Sequence, residues 1–154
     1  MYEIIIRNGN VIDGTGKPAF RADIAIDGGM IMAIGDLSAY RGKDEYDADG
    51  KYVVPGFIDI HTHSDKTLET YPRAESRILQ GVTTEVGGNC GISPFPINPE
   101  YIEDLKVYEG GNLTWKWNDI SSFLDYMEDV GTSTNFGCLA GHGSIRMAVM
   151  GYSA

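Results

Sequence analysis

The rhythm of apolar residues changes once along the chain, at Pro55-Gly56, and that change limits the folds open to it. Before the break, short β-rich runs are punctuated by turn dipeptides. Tyr2–Arg7 (YEIIIR) is followed by Asn8-Gly9, a strong hairpin signal. In Asp23–Asp36, Ile24 and Ile26 alternate with small or polar residues, and Ile31 and Ala33 resume beyond Asp27-Gly28-Gly29. That tripeptide supplies the positive-φ positions of a tight hairpin. A third unit, Glu45–Val54, turns at Asp49-Gly50. Residues 1–54 are expected to form a small antiparallel β-domain.

After Gly56, strands alternate with helices. Phe57–His63 reads as a strand and Arg73–Gly81 as a helix capped by glycine after Gln80. Val82–Gly88 is a second strand, followed by a Gly/Pro/Asn-rich loop, Asn89–Pro99. Tyr101–Val107 is a short helix. Asn118 or Asp119 caps a better one, in which Ile120, Phe123, Leu124, Met127 and Val130 keep the helical period. A third strand, Asn135–Gly141, ends at His142. This alternation implies parallel βαβ units, so residues 55–154 are expected to open an α/β sheet or barrel.

A chain of 154 residues, 42% of them hydrophobic, can bury a real core, and intrinsic disorder is excluded. The net charge of −10, with no Lys/Arg cluster to offset it, argues against nucleic acid as a partner. No stretch reaches the roughly 18 apolar residues of a membrane span, and the start of the chain lacks a signal-peptide core. Without a secretion signal, Cys90 and Cys138 are expected to be reduced and the protein cytoplasmic.

The residues suited to chemistry lie at strand ends. On a strand, His61 and His63 project to one face together with Asp59, while Ile58, Ile60 and Thr62 point to the other, where helices would cover them. Burying Asp, His and His on one face is costly unless something satisfies them, and two converging imidazoles can hold Zn²⁺. In a parallel architecture Cys90, after the second strand, shares their rim. A thiolate is a good zinc ligand, yet buried structural cysteines are common, and spacing alone leaves both roles open. His142 reaches the same rim, more as a residue that fixes a loop or a ligand than as a ligand itself. Asp65 either holds a ligand histidine, contacts substrate, or caps a helix. Arg146 either meets a substrate carboxylate or forms a surface ion pair. Cys138, Trp115 and Trp117 are expected to pack.

Together these motifs resemble the amidohydrolase superfamily, and within it the N-acyl-D-amino-acid deacylases (D-aminoacylases), over nearly the whole chain. Asp23–Asp36 resembles that superfamily's N-terminal β-domain, which is half of a composite β-sandwich. VVPGFIDIHTHSD resembles its first barrel strand with the His-x-His metal motif, and QGVTTEVGGNCGISPFP a more selective deacylase stretch in which the cysteine is a metal ligand. The run from Trp117 through NFGCLAGHGSIRMAVMG is similar to the same subgroup. The resemblance implies the first three β/α units of a metal-dependent (β/α)₈ TIM barrel, with His61, His63 and Cys90 as ligands of one or two Zn²⁺ ions. It implies a hydrolase that cleaves N-acyl-D-amino acids, small-molecule partners, to a carboxylate and a D-amino acid. The metal would acidify water and polarise the scissile carbonyl, and a carboxylate would shuttle protons.

A full barrel takes roughly 250 residues. The family's further histidines and its catalytic aspartate come from later strands, so this chain is expected to be an N-terminal fragment. It is expected to be inactive alone and prone to self-association through an unfinished sheet edge. Two other readings stand beside this one. A cyclic-amide hydrolase of the dihydroorotase or hydantoinase type resembles the chain at His61-Thr62-His63 but less well around Cys90, and a non-catalytic metal-binding or interaction module needs no distal residues.

Overall fold

A computed structural model describes residues 1–109 and 113–152. The chain divides into two compact units, Met1–Pro55 and Gly56 onward. None of the described helices is long and apolar enough to cross a membrane.

The first unit is a sheet of five strands: β1 (Tyr2–Val11), β2 (Phe20–Asp27), β3 (Met30–Gly35), β4 (Gly42–Asp47) and β5 (Tyr52–Val53). Their order is β3-β2-β1-β4, with β5 also paired to β1. The β2–β3 hairpin forms as expected, with Asp27 opposite Met30 and both Gly28 and Gly29 at positive φ. Two expectations are corrected. Asn8-Gly9 does not turn the chain: β1 runs through it with a register shift between Ile6 and Gly9, and Asn8 takes φ +60° inside the irregularity. An αL-tolerant dipeptide serves a bulge as readily as a hairpin. Nor is the unit wholly antiparallel. The turn at Asp49-Gly50 forms, with the Lys51 N–H donating to the Ala48 carbonyl at 2.9 Å. It does not fold β4 onto β5. Both lie parallel to β1 in succession, β4 along Tyr2–Arg7 and β5 along Asn10–Val11.

Small apolar clusters sit on the sheet: Ile5, Ala25 and Leu37 in one, Val11, Ala22 and Ile24 in another. Arg7 ties the strands together. Its Nε and one terminal nitrogen donate to the two Glu45 oxygens, each at 3.0 Å. The remaining N–H groups reach Asp23 at 3.1 Å and the carbonyls of Leu37 and Tyr40 at 2.9 and 2.8 Å. Such a bidentate guanidinium pair is among the stronger side-chain contacts. The Arg7 hydrogen bond, with help from the Gly42 N–H, lowers the Glu45 carboxyl from 4.5 to about 2. A depressed carboxylate contributes stability above its ordinary range and loses it as pH falls through the folded value. The expected result is a thermal midpoint for this unit that drops between about pH 4.5 and 2, and a shallower drop in Glu45→Gln. Circular dichroism melts across that range check it; identical slopes would contradict it.

The second unit is built on three parallel strands in sequence order, β6 (Phe57–Asp59), β7 (Val82–Gly87) and β8 (Asn135–Cys138). Helices α1 (Glu75–Ile78), α2 (Ile102–Glu109), α3 (Ile120–Val130) and α4 (His142–Met150) accompany them, with 3₁₀ turns at Ser64–Lys66 and Pro99–Tyr101. The helix expected over Arg73–Gly81 is confined to the four residues Glu75–Ile78, and Ala74 at φ +44° fixes its start. The better helix begins where expected. Asp119 accepts the Ser122 N–H in a capping box, and Gly131 ends the helix at φ +74°.

Both strands expected to end at histidines stop short of them. β6 ends at Asp59, whose carboxylate takes the His61 N–H at 3.2 Å in a local turn. β8 ends at Cys138, and His142 instead opens α4. The face assignment is also corrected. Asp59 pairs at 3.2 Å with Arg77 of α1, whereas Ile58 and Ile60 are exposed rather than helix-covered.

The core of this unit is aromatic. Trp117 and Phe123 lie edge to face with ring centroids 4.8 Å apart, and Phe95 is 5.5 Å from Phe123. Leu68, Ile97, Leu105, Leu113 and Met127 complete the buried cluster, against which Trp115 and Cys138 pack. The expectation that Cys138 and both tryptophans pack therefore agrees with the fold. Trp117 also donates its indole N–H to the Pro94 carbonyl at 2.7 Å, which satisfies the polar end of a fully buried ring.

Candidate metal centre

His61 and His63 stand on the segment beyond β6, and Cys90 on the loop beyond β7. Neighbouring parallel strands release both segments at the same end of the sheet. The three side chains meet there: one donor atom from each lies within 4.8 Å of the others, and His61 Nε2 is 3.2 Å from Cys90 Sγ. All three are exposed. Zinc takes nitrogen at roughly 2.0–2.1 Å and sulfur at about 2.3 Å, which at tetrahedral angles separates the two donors by about 3.5 Å. The 3.2 Å between His61 Nε2 and Cys90 Sγ is close to that separation, and imidazole with thiolate is a donor set suited to zinc. Among the described residues, no carboxylate belongs to this cluster.

The backbone makes the convergence possible. The Thr62 N–H donates to the Val86 carbonyl at 3.1 Å, so the His-x-His segment still leans on β7 after β6 has ended. Asn89 donates its amide to that same carbonyl at 2.7 Å. Cys90 takes φ +57°, and Gly88 at φ +71° lies against the Leu139 backbone, where a Cβ would collide.

The remaining candidates lie outside the triangle. His142 and Arg146 are exposed on α4, and neither is part of the cluster. Asp65 sits inside the 3₁₀ turn rather than at its N-cap and is 1% exposed. Burial raises its carboxyl above the ordinary range, and it lies beside Gly87 and Cys138. Burial, with a contribution from Asp65, pushes the Cys138 thiol up to about 12. Such a thiol stays protonated, which leaves Cys90 as the cysteine disposed to bind metal.

Sequence reasoning missed a buried ion pair nearby. Glu85 is fully buried at the centre of β7; Arg77 Nε lies 3.3 Å from its carboxylate and Thr134 donates to it at 3.0 Å. Arg77 thus bridges Asp59 and Glu85. A glutamate in the middle of the β-rich segment Val82–Gly87 is the available signal, but its partners are distant in sequence.

Parallel strands with metal-type donors gathered beyond their C-terminal ends define an α/β arrangement of the kind in which ligands are bound at that end of the sheet. The chain belongs to the amidohydrolase family, whose profile matches residues 44–144. It is 40% identical over 152 residues to a D-aminoacylase of Alcaligenes xylosoxydans xylosoxydans, covering 97% of this chain and 31% of that protein. A solved N-acyl-D-glutamate deacylase from Bordetella bronchiseptica, complexed with zinc and a phosphonate inhibitor that mimics the tetrahedral intermediate, superposes with a TM-score of 0.86. It is 35% identical, over 97% of this chain and 31% of that one. The L-hydantoinase of Arthrobacter aurescens superposes at 0.53, with 28% identity, over 69% of this chain and 25% of that one. The chain thus spans about a third of the length of these deacylases.

Proposed function

We propose that His61, His63 and Cys90 supply three ligands to the zinc centre of an N-acyl-D-amino-acid deacylase. The observation that carries this reading is the meeting of two imidazoles and one thiol beyond adjacent parallel strands. The deacylase likeness supports it over the hydantoinase-like alternative, because it extends across 97% of the chain at a TM-score of 0.86, against 69% at 0.53. In the same reading, residues 1–54 are half of a composite β-sandwich, and residues 55–154 are the first three β/α units of a (β/α)₈ barrel.

When bound, zinc supplies Lewis acidity, which polarises an amide carbonyl and acidifies water. The chain's own contribution is to hold the two imidazoles and the thiol close together on exposed segments, open to a small molecule. Proton transfer to the leaving amine needs a carboxylate or equivalent at the site. None joins the triangle among the described residues.

The expected result for the purified 154-residue chain is therefore zinc binding by elemental analysis without turnover of N-acyl-D-amino acids. Failure to retain zinc would remove the metal reading, and measurable release of D-amino acid would remove the claim that the chain alone is inactive. Ile58 and Ile60, 62% and 73% exposed on an edge strand and just beyond it, also favour self-association. Light scattering on the same sample reads this, and a monodisperse 16.8 kDa species would count against it.

A further inference from the structure

The loop that carries Cys90 is clamped to the start of α4. A helix begins with N–H groups that lack intrahelical acceptors. The N-cap of α4, Gly141, offers no side-chain acceptor. The Gly91 carbonyl takes that role, accepting the N–H of Gly143 at 2.8 Å and of Ser144 at 3.3 Å. Two buried hydroxyls lock the contact. The Ser93 N–H donates to Ser144 Oγ at 2.8 Å, and Ser144 Oγ donates to the Ser93 carbonyl at 2.9 Å. The Gly141 N–H donates to Ser93 Oγ at 2.9 Å, while the Ser93 hydroxyl donates to the Phe95 carbonyl. Ser93 is 0% exposed and Ser144 1%. The approach is close enough that a Cβ on Gly143 would sit 2.8 Å from the Gly91 oxygen.

Cys90 lies between Asn89, which is bonded to the Val86 carbonyl, and Gly91, which is bonded to α4. Its φ of +57° is one that non-glycine residues hold only where the surroundings impose it. Resting on the reading of Cys90 as a metal ligand, we propose that the Ser93–Ser144 hydroxyl pair and the docking of Gly91 on α4 position the Cys90 thiolate for the metal. Ser93 and Ser144 are positioning residues. They act through the backbone on either side of the thiol and contact neither the ion nor a substrate.

A purely structural role and a positioning role part at Gly143→Ala. The added methyl presses on the Gly91 carbonyl, so thermal stability falls in either role, but a purely structural role leaves the metal affinity and the band per bound ion of the folded variant unchanged. In the positioning role the added methyl displaces the Gly91 carbonyl, and Cys90 moves with it. The probe is Co²⁺ titrated into the full 154-residue chain, read by the near-ultraviolet thiolate-to-cobalt charge-transfer band. Gly143→Ala and Ser144→Ala are each expected to weaken Co²⁺ binding by about tenfold or more, the scale on which residues that orient ligands act. Each is also expected to shift or diminish the band per bound ion. Cys90→Ala is measured alongside. If the unsubstituted chain shows no band, or Cys90→Ala keeps it, the ligand reading falls and the clamp with it. If Cys90→Ala loses the band while the folded clamp variants retain the parent's band and affinity, the clamp alone is overturned. Should Ser144→Ala fail to fold, Gly143→Ala decides.

Discussion

Cys90→Ala lowers the zinc affinity of the chain by more than about 100-fold, beyond the 10–100-fold that loss of an outer partner costs. The expectation follows from ligand count and geometry. Three donors lie within 4.8 Å of one another, and His61 Nε2 is 3.2 Å from Cys90 Sγ. Removing the thiol leaves two imidazoles on one exposed segment and no second strand end contributing to the centre. Cys90 is exposed, so the substitution creates no cavity, and far-ultraviolet circular dichroism is expected to stay at the parental signal. His61→Ala serves as a parallel test, since it removes the imidazole that lies 3.2 Å from the sulfur. Equilibrium dialysis with zinc measures both. If the metal is held in the hydantoinase-like manner, without the thiol, Cys90→Ala binds zinc nearly as well as the parent while His61→Ala does not. A loss confined to the histidine variant would therefore shift the assignment toward cyclic-amide hydrolysis.

The convergence of His61, His63 and Cys90 was legible because it needs only two inferences: where strands end, and that parallel strands end together. The route to the histidines was less so. The alternation of the sequence puts them on a strand, but β6 stops at Asp59, whose carboxylate meets the His61 N–H and the guanidinium of Arg77. Local signals with local consequences were read well. Asp27-Gly28-Gly29 turns a hairpin, and Asp119 caps a helix, because donor and acceptor lie within a few residues of each other. Signals whose outcome depends on a distant partner were not. Asn8-Gly9 became an irregularity inside β1, and the pairing of β4 and β5 was decided by which side of β1 remained open. Glu85 is tolerated at the centre of β7 because Arg77 and Thr134, from either side in sequence, surround its carboxylate. The Ser93–Ser144 pair spans 51 residues, and neither serine stands out from its neighbours in the sequence.

Phe123→Ala destabilises the second unit by about 3–5 kcal/mol, the usual cost of truncating a fully buried aromatic. Phe123 is 0% exposed, with ring centroids 4.8 Å from Trp117, 5.5 Å from Phe95 and 6.1 Å from Phe136. One side chain thus joins α3, β8 and the loop that follows Cys90. A domain is stable by only about 5–15 kcal/mol, so the variant stands near the edge of folding. Both tryptophans of the chain, Trp115 and Trp117, belong to this unit, so their fluorescence reports its unfolding without contribution from the β-sheet of residues 1–55. Denaturant titrations followed at tryptophan wavelengths are expected to show the midpoint falling sharply. Leu124→Ala, on the half-exposed side of the same helix, is expected to shift it far less. Zinc supplies the link back to the site. A ligand bound only by the folded state at about 100 times its Kd adds roughly 2.7 kcal/mol. If the metal centre and the aromatic core belong to one cooperative unit, zinc recovers much of what Phe123→Ala removes, and it recovers nothing once Cys90→Ala is added. Recovery that persists without the thiol would mean that zinc is held without Cys90, by the histidines alone or elsewhere in the chain.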